Sequence, residues 1–246
     1  MNDKYTIQNI INGNEIDNYY RNLDPYQKSY YKSLFKDDIL MVCSNSPAGT
    51  GKTTIAVMAG LELLLQTKIS KIYYIRFPDD RSLRLGYLPG DEIDKTSSYT
   101  KPFYSACEEF GLDSSRIEFL LESGTINLCT DISMRGTNIW DAMVIIDEAQ
   151  NARFSDLKLI LTRIKDNCKV ALIGYSGQKD NFKGEEEYAF ERYIEHMSKQ
   201  SWCANITLPV NHRGKLSTWA DKLEAAPKKD KEPQKIILMN KNITVS

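Results

Sequence analysis

Apolar residues in this chain gather into short blocks separated by longer amphipathic stretches. Residues 38–43 (DILMVC), 71–77 (KIYYIRF), 142–147 (AMVIID) and 169–174 (KVALIG) are apolar runs of strand length. Shorter strand-like runs lie at 117–121, 126–129 and 206–210. Helical patterns fill the intervals at 52–66, 102–110, 154–165 and 185–199, with another helix over 25–35 and the end of one at 216–223. Strands that alternate with helices imply βαβ units. Runs apolar on both faces suit the buried strands of a parallel sheet. The pattern therefore predicts an α/β fold of three layers, a mostly parallel central sheet between two layers of helices.

Other stretches lack this order. Residues 1–24 are rich in Asn and Asp with weak periodicity and read as an irregular lead-in. Residues 78–100, rich in Asp, Gly, Pro and Ser, read as a long loop or insertion, and residues 224–246 as a charged tail. The organisation expected is one domain over 25–223, carrying an insertion at about 78–104. Composition agrees with one domain: 246 residues, 41 % of them hydrophobic, are enough for a sizeable core. A net charge of −1 gives no overall basic field, although it leaves room for a local basic groove. The five cysteines, at 43, 107, 129, 168 and 203, are odd in number and have no metal-ligand spacing. They read as small core residues in a reducing cytoplasm. The first residues have no signal-peptide apolar segment, and no stretch is long enough to span a membrane.

The chemistry begins between the first strand and the helix after it. Ser46, Pro47, Ala48, Gly49, Thr50, Gly51, Lys52 and Thr53 read SPAGTGKT, followed by Thr54. A glycine-rich turn between strand and helix can aim several backbone N–H groups at phosphate oxygens. Gly49 and Gly51 permit the turn, Lys52 supplies charge, and Thr53 offers a hydroxyl to Mg²⁺. The helix N-terminus adds its own partial positive charge. The strict pattern opens with glycine, and here that position is Ser46.

A second motif, Val144-Ile145-Ile146-Asp147-Glu148-Ala149-Gln150, ends an apolar strand in two acids. Ligands of open α/β sheets bind outside the carboxyl ends of the strands. Asp147 suits the metal, and Glu148 suits a general base acting on water. A strand followed by a capping Asp would give the same letters, but the phosphate loop upstream argues for chemistry. The guanine-reading N-K-x-D has only Asn240-Lys241-Asn242-Ile243 as a near match, without its acid, which favours ATP over GTP.

Together these segments resemble the PhoH-like family of ATPases, whose core is similar to that of superfamily 1 helicases. The resemblance runs from about Asp24 to Asp221. It is carried by Gln27 in DPYQKSYYKSL, SPAGTGKTTIAV, Arg76, RLGYLPGDEIDK, Met134-Arg135-Gly136, the DEAQN run and Leu161-Thr162-Arg163. The resemblance implies a RecA-like P-loop fold, ATP and Mg²⁺ as cofactors, and a homo-oligomer, specifically a hexamer. It implies adenine contact for Gln27, γ-phosphate sensing for Gln178, and a charge-stabilising role for Arg213, with Arg163 as a second candidate. One departure stands out: Tyr175 occupies the acid position of the family's Gly-Asp-x-x-Gln.

Two functions follow. One is an ATPase coupled to RNA or other single-stranded nucleic acid. Arg81, Arg84, Tyr87, Lys95, Tyr99, Lys101, Phe103 and Tyr104 interleave cations and aromatics that can follow phosphates and stack on bases. The other is a nucleotide-regulated interaction protein with slow turnover.

Overall fold

The computed structural model describes residues 6–77, 92–129, 138–178 and 189–221. Two short helices open it, α1 (Ile7–Ile10) and α2 (Gly13–Asn22), then α3 (Pro25–Phe35). The α/β alternation follows: β1 (Met41–Asn45), α4 (Lys52–Leu65), β2 (Lys71–Arg76), α5 (Glu92–Glu109), α6 (Ser114–Glu122) and β3 (Ile126–Cys129). The second half holds β4 (Ala142–Asp147), α7 (Phe154–Leu161), β5 (Lys169–Gly174), α8 (Ala189–Met197), β6 (Cys203–Asn205) and α9 (Lys215–Asp221). The six strands form one sheet in the order β3-β2-β4-β5-β1-β6. Every pairing is parallel. The chain is therefore α/β in three layers, as its apolar pattern implies.

Side-chain alternation along the strands divides the core. Val42, Ile72, Tyr74, Ile145 and Ile173 face one side, against α1 to α6. Cys43, Ile75, Val144, Ile146 and Leu172 face the other, against α7 and α8. Helix α4 is apolar on nearly every side and is buried along most of its length. It rests on the sheet beneath α2, α3 and α5. Its carboxyl-terminal half leads to β2, so the chain crosses β5 and β4 before pairing again. That crossover leaves the carboxyl ends of β1 and β4 open to one crevice.

The structure differs from the sequence pattern in four places. Residues 7–22 are helical rather than irregular, with Ile10, Ile11, Ile16 and Leu23 in the core. The two helices are too short for a visible period, and Asn12 marks the break by capping α2. Residues 117–121 are helix α6, not strand. Asp113 caps it, and Ile117 and Leu120 face the core three residues apart. Residues 92–100 belong to helix α5, which runs through Pro102 and is anchored by buried Phe103, Cys107 and Phe110. Residues 78–91, Met134-Arg135-Gly136 and the 224–246 tail lie outside the described residues. Finally, residues 206–210 do not extend a strand: β6 stops at Asn205, because its neighbour β1 turns away into the loop at Ser46.

The burial of α2 makes a stability prediction. Ile16 is 1 % exposed, in the cluster shared with α4. Replacing it with alanine should cost about 2–5 kcal/mol, read as a lower denaturation midpoint in urea. An unchanged midpoint would show that α2 contributes no packing to the fold.

Candidate functional site

The crevice at the carboxyl ends of β1 and β4 encloses about 570 Å³, within the range of small-molecule and cofactor sites. One wall is the loop from Ser46 to Gly51 and the start of α4. Gly49 and Gly51 have φ of 78° and 86°, the left-handed region where a side chain is strained. The loop is held at many points. Ser46 N donates to the Gly174 carbonyl at 3.0 Å. Thr50 Oγ1 donates to the Pro47 carbonyl at 3.0 Å. Lys52 reaches back across the loop, its Nζ donating to the carbonyls of Ser46 at 2.6 Å and Pro47 at 2.8 Å.

The opposite wall is the end of β4. Asp147 is 2 % exposed. Its carboxylate accepts from Thr53 Oγ1 at 3.2 Å and from the Tyr74 hydroxyl at 2.6 Å. Burial and the neighbouring Glu148 charge raise the Asp147 pKa above the usual carboxylate value, against the lowering effect of Tyr74 and Arg76. A buried acid held up in this way is stabilised by any cation that enters beside it. The hydroxyl of Thr53 and the carboxylate of Asp147 are hard oxygen donors on one spot, the pairing that Mg²⁺ takes together with phosphate oxygens. The residues present fit that ion.

Glu148 has φ 52° and ψ 38°, a left-handed conformation rare outside glycine. Such strain costs roughly 1–3 kcal/mol and persists only where the surroundings hold it. Here they do. Glu148 Oε2 accepts from Gln150 Nε2 at 2.7 Å, and Arg76 lies 3.4 Å from Oε1. Gln150 is itself buried, and its Oε1 accepts from the Tyr175 amide at 3.0 Å.

Of the residues the sequence singles out, the crevice brings together Gln27, Ala48, Gly49, Gly51, Lys52, Thr53, Thr54, Asp147, Glu148, Gln178 and Arg213. Ser46, Pro47 and Thr50 shape the loop behind them. Arg163 is not brought there. It follows α7, and its carbonyl accepts from the Ile139 amide just before β4 begins, at the other end of the sheet. Gln27 Oε1 accepts from the Asp24 amide and its Nε2 donates to the Thr50 carbonyl at 3.0 Å, so it braces the loop as well as facing the crevice. Phe103 is fully buried against Tyr74, which removes it from the aromatics available for base stacking. Sequence reasoning missed Tyr19, Asn22 and Leu23, crevice residues from the stretch read as irregular, and also Tyr74, Ser105 and Glu109. Tyr74 was legible in principle: in a parallel register one residue behind the acid's neighbour, a polar group on a buried strand needs a polar partner.

The PhoH-like protein family profile matches residues 21–215. The chain belongs to the PhoH-like family. This is a family of P-loop nucleoside triphosphatases. A PhoH-like protein of Bacillus subtilis is 36 % identical over 158 residues, 64 % of this chain and 49 % of the relative. One from Synechocystis is 34 % identical over 154 residues, 63 % of this chain and 46 % of the relative. Protein PhoH2 of Thermobispora bispora is 30 % identical over 188 residues, 75 % of this chain and 42 % of the relative. The matched region thus spans about half or less of each relative's length. Among the described residues no helix is long and apolar enough to cross a membrane.

Tyr74 carries the prediction of this site. Tyr74→Phe removes a donor to a buried carboxylate and should destabilise the nucleotide-free protein by about 1–3 kcal/mol in urea unfolding. No loss would show that Asp147 does not rely on that hydroxyl.

Proposed function

We propose that the chain binds ATP with Mg²⁺ and hydrolyses the γ-phosphate, in a reducing cytoplasm and as a homo-oligomer, a hexamer being the assembly expected for the family. One observation carries this reading: the Thr53 hydroxyl and the Asp147 carboxylate, 94 residues apart, meet at 3.2 Å beside Lys52 and Glu148. In this reading Lys52 exchanges the loop carbonyls for β- and γ-phosphate oxygens, and the loop amides bind the same oxygens. Thr53 and Asp147 hold Mg²⁺, which when bound neutralises charge on those phosphates. Glu148 takes a proton from the attacking water as its oxygen bonds to the γ-phosphorus. The bond to the β-phosphate oxygen breaks, and ADP and phosphate leave. Gln178 senses the γ-phosphate, and Arg213 stabilises the charge that develops there. Arg213 lines its own chain's crevice, which favours action in cis.

For coupling, we favour RNA or other single-stranded nucleic acid. The support is the family resemblance and the cations and aromatics that interleave along the 78–104 segment. The second reading, a nucleotide-regulated interaction protein, draws on Tyr175, which replaces an acid and folds its ring over Gly177.

Three experiments test these statements. Calorimetry should find that Lys52→Ala loses ATP affinity by at least about tenfold, since an ion-paired phosphate contact is worth roughly 1.5–3 kcal/mol. Glu148→Gln should keep ATP and stop phosphate release; turnover at the wild-type rate would reject Glu148 as base. Separately, single-stranded RNA added to the wild-type protein should raise ATPase turnover. Indifference to RNA and to DNA alike would favour the interaction protein.

A further inference from the structure

We propose that Ser46 is the positioning residue for Arg213, using a hydroxyl that the strict phosphate-loop pattern, with glycine at this place, does not have. The reasoning starts at the edge of the sheet. Strand β6 pairs with β1 from Cys203 to Asn205, opposite Met41 to Cys43. One rung continues past the strand, the Ile206 amide donating to the Cys43 carbonyl at 2.9 Å. Parallel ladders repeat every second residue. The next amide is that of Leu208, and its ladder partner would be the carbonyl of Asn45. There β1 bends into the phosphate loop. Leu208 is 1 % exposed, so its amide has no water to turn to.

Ser46 supplies the acceptor. The Leu208 amide donates to Ser46 Oγ at 2.8 Å, and Ser46 Oγ shares a hydrogen bond with Ser44 Oγ at 2.9 Å. Both serines are fully buried. Ser46 thus prolongs the ladder by one rung, with a side chain in place of a backbone carbonyl. The segment it holds runs directly over the loop. The His212 amide donates to the Gly49 carbonyl at 2.8 Å, and Asn211 Oδ1 accepts from the Arg213 amide at 2.8 Å. A Cβ on Gly49 would fall 2.7 Å from Asn211 Oδ1 and 2.9 Å from Arg213 Cγ. His212 Nε2 meets Asp24 Oδ2 at 2.9 Å. The strap is therefore pinned at Leu208 on one side and at His212 on the other, with Arg213 emerging beside the second pin. With glycine at position 46 the first pin is gone, and a buried amide is left without an acceptor. The strap must then shift or open, and Arg213 shifts with it.

The inference rests on the role proposed for Arg213 toward the γ-phosphate, and its test separates the two. Hydrogen exchange at the Leu208 amide is followed in the full chain without nucleotide, for wild type, Ser46→Gly and Ser46→Ala. Loss of the acceptor should speed that exchange by about tenfold or more in both variants. Steady-state ATPase then compares both with Arg213→Ala and with the double variants. The expected result is a fall in kcat of about tenfold with ATP affinity nearly kept, and no further fall when Ser46→Gly is added to Arg213→Ala. Unchanged exchange at Leu208 overturns the clamp itself. Faster exchange with undiminished kcat, or losses that add in the double variant, overturn its action through Arg213. A silent Arg213→Ala, with exchange at Leu208 still accelerated in the Ser46 variants, removes the role of the arginine and leaves only a structural rung.

Discussion

Thr53 and Asp147 share a hydrogen bond although the whole β2–β4 half of the domain lies between them in sequence. The parallel ladder makes this unavoidable. β4 pairs with β5 and β5 with β1, each in parallel, so the carboxyl ends of β1 and β4 point the same way two strand spacings apart. The chain leaves β1 through the glycine turn into α4, and Thr53 begins that helix facing the acid. Nothing else in the site has a fixed place until this is set. The loop amides follow from the turn, and Glu148, the base of the proposed mechanism, is the next residue after the acid.

A loop built to receive a triphosphate has a surplus of donors and a positive charge, and it must be stable without its ligand. This chain answers with contacts made inside the loop. Lys52 is held by two loop carbonyls, which satisfies the ammonium and keeps the turn from opening. Gln27 and His212 hold the carbonyls of Thr50 and Gly49 from outside, and Asp24 joins them, accepting from the Gln27 amide and meeting the His212 ring. Burial pushes the Asp24 carboxyl up, but the Gln27 and Tyr26 amides and His212 together bring it below the usual range. The carboxylate is thus the form the network prefers. Preorganisation of this kind lowers the ordering cost of binding. In the proposed mechanism the lysine exchanges its two loop carbonyls for phosphate oxygens.

The strands that cross the middle of the sheet were legible because burial on both faces leaves one reading of AMVIID and KVALIG. The site acids and the loop were legible because their spacing is set by chemistry. What was not legible depends on partners distant in sequence. Ile10, Ile11 and Ile16 look like scattered apolar residues among Asn and Asp until α4 is there to receive them. IEFLL reads as strand or helix by letters alone, and only packing against β3 and α5 decides it. The run ITLPV opens with strand-forming residues, yet it carries Pro209 and its neighbour turns away. Arg163 follows an apolar helix that starts beside the crevice, and the length of that helix carries the residue to the far end of the sheet.

Tyr175 is the departure from the family pattern with the most consequence for mechanism. An acid there would offer a side chain to the loop that carries Gln178. In this chain the backbone amide of Tyr175 donates to Gln150, and Gln150 uses its other end to hold Glu148. One buried amide side chain therefore joins Glu148 to the loop after β5. Gly174 must be glycine for this to fit, since a Cβ there would collide with Gln150 Oε1. The link runs through a backbone amide, so it does not depend on which side chain stands at 175, and Glu148 stays joined to the loop that carries Gln178.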